Sequence, residues 1–436
     1  MKILILGSGG REHTFCWKIR DSKLCTHLYV APGNAGTAEH AINIDININD
    51  FDAVKDFCIS AGIDMVVVGP EEPLVKGIYD FFKKDEQLRH ILITGPSSAG
   101  AQLEGSKAFS KKFMQKYRIP TAAYREFDAA SFEEGVAYLH EHSLPIVLKA
   151  DGLAAGKGVI ICNNHEEALV EFSAMLQHSK FGNAGNKVVV ESFLEGIELS
   201  VFVMTDGKDY LLLPEAKDYK KIGEGDKGLN TGGMGAISPV PFATDHFMSM
   251  VKERIIDPTL SGLRNEGIDY RGFIFFGLIK VDEQPFIIEY NCRMGDPETE
   301  VVFLRMKNDL LPLLIDMENQ QLRDHIIEIN EQCAATVVAV SGGYPLEYKK
   351  GVPVEFGYLE NPQAIKHIDE HGGVQVFHAG TKLENGETVT NGGRVLAVSA
   401  LAGTLAETIE LSKEILEQIH FEGMYYRSDI GYEFFE

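Results

Sequence analysis

The sequence predicts a multidomain protein of mixed class, α/β plus α+β: a parallel α/β unit first, an antiparallel α+β unit next, and a small β-rich unit last. Three observations predict it. Short apolar runs alternate with helical stretches over residues 1–104. Paired strands with tight turns dominate the middle. Repeated Gly-Gly turns separate strands in the last hundred or so residues.

In the first unit, residues 3–6 read as a strand, followed by Gly7, Ser8, Gly9 and Gly10. A helix from about Arg11 then places Phe15, Cys16 and Ile19 on one face. Residues 28–30, 65–68 and 91–93 read as further strands, each ending in a Gly/Pro loop. Alternating strands and helices indicate an open parallel sheet, whose ligands bind at the C-terminal ends of the strands. In the middle, helical patterns at residues 106–117 and 131–141 precede a buried strand at 146–149. A Gly-rich stretch, 151–158, leads into another strand at 159–162. Strands at 188–191 and 198–204 follow, and Asp206-Gly207 turns the chain into 210–213 as a hairpin. Residues 216–235 read as one long polar loop. A helix near 244–266 leads to strands 273–281 and 286–291, joined by a turn at Asp282-Glu283. The last unit has a strand at 335–340, turns at Gly342-Gly343, Gly372-Gly373 and Gly392-Gly393, and a helix near 405–419. The expected domains are 1–104, 105–328 with a mobile subdomain at about 121–194, and 329–436.

At 436 residues, 44% of them hydrophobic, the chain is too long for one compact core. Its 41 basic and 64 acidic side chains give a net charge of −23, which repels a phosphate backbone and argues against a nucleic-acid partner. An anionic ligand must therefore be met by local cations or backbone N–H groups. The six cysteines form no CxxC pair and read as reduced thiols. The apolar run near the N-terminus is of strand length, and no run approaches the ~20 residues of a membrane helix. A cytoplasmic protein with no membrane partner is expected.

Four constellations carry chemistry. The turn Gly7-Ser8-Gly9-Gly10-Arg11-Glu12 lacks the third glycine of a dinucleotide fingerprint, since Glu12 stands in its place. A Gly-rich strand-to-helix turn still suits an anion such as a sugar phosphate, or is a tight turn only. Residues 149–158 place small residues and glycines between Lys149 and Lys157. Such a loop suits the covering of a triphosphate, or is a hairpin with surface lysines. Glu289 and Asn291, two apart on a strand, share a face and present hard oxygens suited to Mg²⁺ held with nucleotide phosphates. Arg293 continues that face if the strand does, and a charged edge strand is the plainer reading. Residues 228–236 contain Gly232, Gly233, Met234 and Gly235 beside Lys217, Asp218, Lys220 and Lys221. They form either a functional loop or a solvated one.

Taken together, these constellations resemble the phosphoribosylamine–glycine ligase family (glycinamide ribonucleotide synthetases). The family's GxGGREH appears at 7–13, APGNAGTA at 31–38 and GPExPLxxGI at 69–78. EGSKxF appears at 104–109, KADGLAAGKGV at 149–159, NTGGMGA at 230–236 and NCRxGDPE at 291–298. The C-terminal turns of the family match 391–396. The resemblance implies a pre-ATP-grasp N-domain, a central ATP-grasp domain and a small C-terminal domain. It also implies ATP with Mg²⁺ or Mn²⁺, and small-molecule substrates glycine and 5-phosphoribosylamine acted on by a monomer. Carried over residue by residue, it implies Lys107, Lys149, Gly156, Lys157 and Gly158 at the ATP phosphates. Glu191, Ser192, Phe193 and Leu194 would form the adenine-facing hinge, with Glu198 at the ribose. Glu289 and Asn291 would ligate the metal, and Arg293, Asp218 and Lys149 would act in catalysis. Gly9, Gly10, Arg11, Glu12, Asn34, Gly36, Pro70, Glu71, Gly232, Gly233, Met234, Gly235 and Arg293 would bind substrate.

The chain departs from the family at Met294, Ile237 and Tyr219, where Phe, Tyr and His are frequent. Gly277 stands where many ATP-grasp enzymes carry a second acidic metal ligand, which shifts the metal shell towards phosphate and water oxygens. Three other readings remain at this point. Another ATP-grasp ligase would differ in the substrates that release ADP, an oxidoreductase would bind NAD(P), and a nucleotide sensor would bind ATP without cleaving it.

Overall fold

In the computed structural model, residues 1–153, 158–178, 186–360 and 373–435 are described. The chain begins with β1 (Lys2–Gly7), α1 (Gly10–Arg20), β2 (His27–Pro32), β3 (Ile42–Asn43), α2 (Phe51–Ala61) and β4 (Met65–Val68). α3 (Glu71–Val75), α4 (Ile78–Lys84), β5 (Leu92–Pro96), α5 (Ser98–Gly105) and α6 (Lys107–Lys116) follow. Residues 3–6 and all of β4 are buried, so these strands read as continuous apolar runs, as a sheet covered on both faces requires. The strands pair in parallel in the order β3-β2-β1-β4-β5.

A separate unit follows: β6 (Tyr124–Asp128), α7 (Phe132–Glu141), β7 (Ile146–Ala150), β8 (Val159–Cys162), α8 (His165–Leu176) and β9 (Lys187–Ser192). Its antiparallel sheet has the order β6-β9-β7-β8. The core of this unit, built around Phe127, Leu139, Leu148, Phe172 and Val190, is its own.

The chain continues through β10 (Ile197–Thr205), β11 (Tyr210–Leu212), β12 (Lys217–Asp218), β13 (Lys221–Gly223), β14 (Lys227–Asn230) and β15 (Gly235–Ser238). After α9 (Asp245–Val251) and α10 (Asp257–Asn265) come β16 (Tyr270–Val281), β17 (Gln284–Asn291), α11 (Glu298–Arg305) and α12 (Leu310–Glu318). β16 joins two sheets. Tyr270 and Arg271 pair with Pro96 and Gly95 of β5, and the rest of the strand pairs with β10 and β17. The parallel and antiparallel parts thus form one nine-stranded sheet. A Cβ on Gly272 would lie 3.0 Å from the Gly95 Cα, so this crossing needs glycine.

The last unit comprises β18 (Cys333–Val340), β19 (Glu355–Phe356), β20 (Val374–His378), β21 (Thr381–Glu384), β22 (Glu387–Thr390), β23 (Arg394–Ala402) and α13 (Leu405–Leu416). Its antiparallel sheet, β12-β15-β18-β23-β20, borrows two strands from the middle of the chain.

Two expectations change. Residues 216–235 are not one loop. They form β12, the hairpin β13–β14 and β15, with Gly225 and Asp226 at φ +64° and +53° in the hairpin turn. The exposure of all of β14 removed the apolar alternation that marks a strand. The helix expected near 244–266 is α9 and α10 joined by a π-helical turn, Lys252–Ile256, just before Pro258. Gly372 lies outside the described residues. Asp282 and Glu283 both take positive φ (45° and 63°), which suits the tight turn between β16 and β17. No helix among the described residues is long and apolar enough to cross a membrane.

Phe303 of α11 is fully buried, with its ring 5.0 Å from Phe15 of α1 and 6.5 Å from Phe273 of β16. It ties two helices to the large sheet. Phe303→Ala is expected to lower unfolding free energy by about 3–5 kcal/mol in urea titration. A loss below about 1 kcal/mol would show that this contact does not hold the layers together.

Candidate active site

A cleft of about 450 Å³ opens where the three sheets meet. Two lysines and a glutamate form its buried wall. Glu191, near the end of β9, sits between Lys111 of α6, with Nζ 3.0 Å from Oε2, and Lys149 of β7, with Nζ 3.1 Å from Oε1. The Lys149 contact is within ion-pair reach but off the hydrogen-bond direction, and Lys149 Nζ donates instead to the Ile288 carbonyl at 3.1 Å. All three side chains are at most 5% exposed. Burial pulls the Lys111 ammonium down to about 8, against the attraction of Glu191. Lys107 opens α6, where Ser106 caps the helix, and its Nζ donates to the Gly152 carbonyl at 3.2 Å. Asp151 ties the Gly-rich stretch to the same helix start by accepting from Ser106 Oγ and the Ala108 N–H. Gly156 and Lys157 lie outside the described residues, and Gly158 lines the cleft.

On β17, Glu289 and Asn291 face the cleft together. Glu289 has no hydrogen bond or ion pair among the described residues. Burial opposes its charge, but Lys220, Lys149, Lys107 and Arg293 hold its carboxyl below the usual range. Asn291 Oδ1 accepts from Arg293 Nη2 at 3.0 Å and retains a second lone pair. An ionised carboxylate beside an amide oxygen fits a divalent ion such as Mg²⁺. No group of three or more His, Cys, Asp or Glu able to hold a metal occurs among the described residues, so phosphate and water must complete such a shell. A Cβ on Gly277, opposite Glu289, would sit 3.1 Å from the Glu289 Cγ, so a side chain there would require the Glu289 side chain to shift by a few tenths of an ångström.

Arg293 stays in the cleft although β17 ends at Asn291. Glu104 holds it at 2.7 Å and Glu71 at 3.3 Å. Burial works against the guanidinium charge, and these carboxylates more than restore it. Asp218 lines the opposite wall beside Lys220, with Nζ 3.7 Å from Oδ1, and Lys220 also pairs with Glu198. Burial raises the Asp218 pKa, and Glu198 and Glu289 raise it further against Lys220. Lys220, 40% exposed to the open cleft, is held well above the ordinary lysine value. Partial desolvation works against its charge, and Asp218, Glu198 and Glu289 win.

The expected substrate residues divide. Arg11, Pro70, Glu71 and Gly232 line the cleft. Glu12 is buried, paired with Arg11 Nε at 2.6 Å, and accepts from the Gly9 N–H. Gly9 packs against Asp296, and Gly36 against His13. The Arg11 N–H, at the start of α1, already meets Asp296 Oδ2 at 3.2 Å. Asn34 stitches the first turn to the last unit, donating to the Ser8 and His378 carbonyls. Gly233 (φ +118°), Met234 and Gly235 pack behind Gly232. Ser192, Phe193, Leu194 and Glu198 are not part of the cleft lining. Phe193 is 40% exposed, and Glu198 is engaged by Lys220. Of the three departures, Met294 and Ile237 are buried in cores, and the Tyr219 hydroxyl donates to Glu433 at 3.0 Å.

Sequence reasoning gave no role to Lys111, Glu104, Lys220, Asp296, Glu298 or Arg394. Asp296 and Glu298 sit inside the 291–298 motif and Glu104 inside 104–109, so the motifs contained them without giving them a role. Arg394 reaches in from β23, donating to the Gly232 and Asp296 carbonyls at 2.7 and 2.6 Å. Only its place in 391–396 pointed to it.

Residues 1–104, 105–299 and 334–433 match the N, ATP-grasp (A) and C domains of phosphoribosylglycinamide synthetase. The chain belongs to the phosphoribosylglycinamide synthetase family. Within it, the chain is 45% identical to the phosphoribosylamine–glycine ligase of Escherichia coli K12, over all of this chain and 99% of that protein. It is also 45% identical to the Clostridium acetobutylicum ligase, over 99% of each. The crystal structure of the Thermotoga maritima phosphoribosylamine–glycine ligase superposes with a TM-score of 0.82 at 32% identity, covering 98% of this chain and 100% of that one. The biotin carboxylase domain of Hydrogenobacter thermophilus 2-oxoglutarate carboxylase shares the fold: TM-score 0.72, 18% identity, 98% and 91% coverage.

Glu191→Ala leaves two buried lysines without their counter-charge. It is expected to destabilise the protein by about 3–5 kcal/mol in denaturant titration. A change below about 1 kcal/mol would show that Lys111 and Lys149 do not depend on Glu191.

Proposed function

We propose that the chain joins glycine to 5-phosphoribosylamine at the expense of ATP, giving glycinamide ribonucleotide, ADP and phosphate, the second step of de novo purine biosynthesis. One observation carries this reading. A single cleft is lined by Arg11 from residues 1–104, by Lys107, Lys149, Glu289 and Arg293 from 105–299, and by Arg394 from 334–433. A ligase that joins a carboxylate, a sugar phosphate and a nucleotide needs such a meeting of charged groups from several units.

Direct attack of an amine on the glycine carboxylate would have to expel oxide. The carboxylate oxygen therefore first takes the γ-phosphoryl group, forming glycyl phosphate and ADP. The phosphoribosylamine nitrogen then attacks the carbonyl, and phosphate leaves. No protein nucleophile is required, so the residues act by positioning and charge neutralisation. Lys107 and Lys149 lie along the triphosphate, with Glu191 keeping Lys149 in place. Residues 191–194 and Glu198 take the nucleoside end. Glu198 must then release Lys220 when ATP binds. Glu289 and Asn291 would hold a divalent ion, Mg²⁺ or Mn²⁺, which when bound would supply charge neutralisation at the phosphates. Arg293, oriented by Glu104 and Glu71, faces the glycine carboxyl, and Asp218 faces its ammonium. Arg11 and the turn before α1 take the sugar phosphate. Residues 228–235 close over the acyl phosphate, which water would otherwise hydrolyse. The chain acts as a monomer, for which light scattering of the purified protein is the check.

ADP release across a panel of carboxylates and amines tests the activity. Only glycine with 5-phosphoribosylamine is expected to turn over well, and equal turnover with another pair would replace this reading. Glu289→Ala is expected to lower kcat by roughly a hundredfold or more. Full activity at saturating Mg²⁺ would remove Glu289 from the metal site. Arg11→Ala is expected to raise KM for phosphoribosylamine more than KM for ATP. Equal changes in both would remove Arg11 from the sugar-phosphate end.

A further inference from the structure

Glu300 on α11 is fully buried, and neither of its carboxyl oxygens has a hydrogen-bond partner among the described residues. A carboxylate in that position would be an uncompensated buried charge. Its place in the fold is specific. A Cβ built on Gly10 would lie 2.3 Å from Glu300 Oε1, so the carboxyl rests directly against the turn that opens α1. That turn already faces two carboxylates, and Glu12 accepts from the Gly9 N–H at 2.6 Å. Asp296 accepts from the Arg11 N–H and pairs with Arg394 Nη2 at 2.9 Å.

We propose that Glu300 is a positioning residue held as an uncharged carboxylic acid beneath Gly10, so that it adds no charge to the Glu12 and Asp296 carboxylates at the start of α1 and an anion can approach the turn. This rests on the reading in which Arg11 and the turn take the sugar phosphate. It adds a residue and a protonation state to that site.

The surrounding charges agree. Burial pushes the Glu300 carboxyl well above the usual carboxylate range, and Asp296 and Glu298 push it further. Its own N–H and the Arg394 guanidinium pull the other way and are outweighed. On α1, Arg11 and Glu12 are paired with one another, and His13 is held neutral chiefly by burial. β15 and β18, packed on α11, bring no carboxylate, histidine or basic side chain, and β23 brings only Arg394. No cation is placed to neutralise Glu300 once Arg394 is committed to Asp296.

The sign follows from linkage. The folded carboxyl keeps a proton that the unfolded chain releases near pH 4.5. Its stabilisation is complete below that pH and is lost as pH rises through the folded value. Ionisation also places a further negative charge behind the phosphate. Each pH unit above the folded pKa leaves roughly tenfold less of the binding-competent neutral form.

The test is calorimetric binding of glycinamide ribonucleotide, a stable product that carries the same phosphate, from pH 6.5 to 9.5 to the full chain and to Glu300→Gln. The dissociation constant of the parent is expected to climb with rising pH relative to that of Glu300→Gln, which lacks the titrating carboxyl. Thermal melts over pH 5–9 give a second readout. The parent should lose stability with rising pH relative to Glu300→Gln, even if product binding is weak in both. Parallel pH profiles in both measurements would overturn the proposal. Arg11→Ala separates it from the underlying reading. Unchanged product affinity there means the sugar phosphate binds elsewhere. Reduced affinity there, with parallel Glu300 profiles, means only that Glu300 is not the neutral acid described.

Discussion

Charge balance among closely set side chains governs this molecule's cleft. Glu289 has no partner of its own among the described residues, yet four cations keep it ionised. Those cations are fixed elsewhere: Lys107 by the Gly152 carbonyl, Lys149 by Glu191 and the Ile288 carbonyl, Arg293 by Glu104 and Glu71, Lys220 by Asp218 and Glu198. Each group that faces the cleft is thus held by one behind it. Ion pairs of this kind add little net stability, but breaking one leaves a buried charge that the fold tolerates poorly. The arrangement therefore fixes positions more than it adds cohesion.

The fold serves that purpose by sharing strands. β16 belongs to both the parallel and the antiparallel parts of the large sheet, and β12 and β15 belong to the last unit's sheet although they lie in the middle of the chain. Three stretches of sequence are thereby fastened together around the cleft by backbone hydrogen bonds. The β6–β9 unit differs, because it has a core of its own and contributes to the cleft through Lys149, Gly158, Val159 and Glu191. A unit joined in this way suits a cover that admits nucleotide, whereas the shared sheets suit a fixed floor.

Much of this was legible in the sequence, for identifiable reasons. The parallel strands announced themselves because strands buried on both faces are apolar throughout, as in Met65–Val68. The side-by-side placement of Glu289 and Asn291 followed from the two-residue period of a strand. What was not legible came from long-range approach. Arg394 meets Asp296 across 98 residues, and Glu104 meets Arg293 across 189. No local pattern encodes such a meeting. The hairpin β13–β14 was hidden because exposed strands lack alternation. Glu198 illustrates another limit. A carboxylate matched to a ribose in a family pattern is, in this structure, engaged by Lys220, and spacing says nothing of competing partners.

Activation of the glycine carboxyl by phosphoryl transfer is the step on which the proposed reaction turns. The most direct measurement is turnover with glycine labelled with ¹⁸O in its carboxylate, followed by mass analysis of the released phosphate. The oxygen that attacks the γ-phosphorus stays with phosphate when the amine displaces it, so one ¹⁸O should appear in phosphate for each glycinamide ribonucleotide formed. Product formation with unlabelled phosphate would contradict the account.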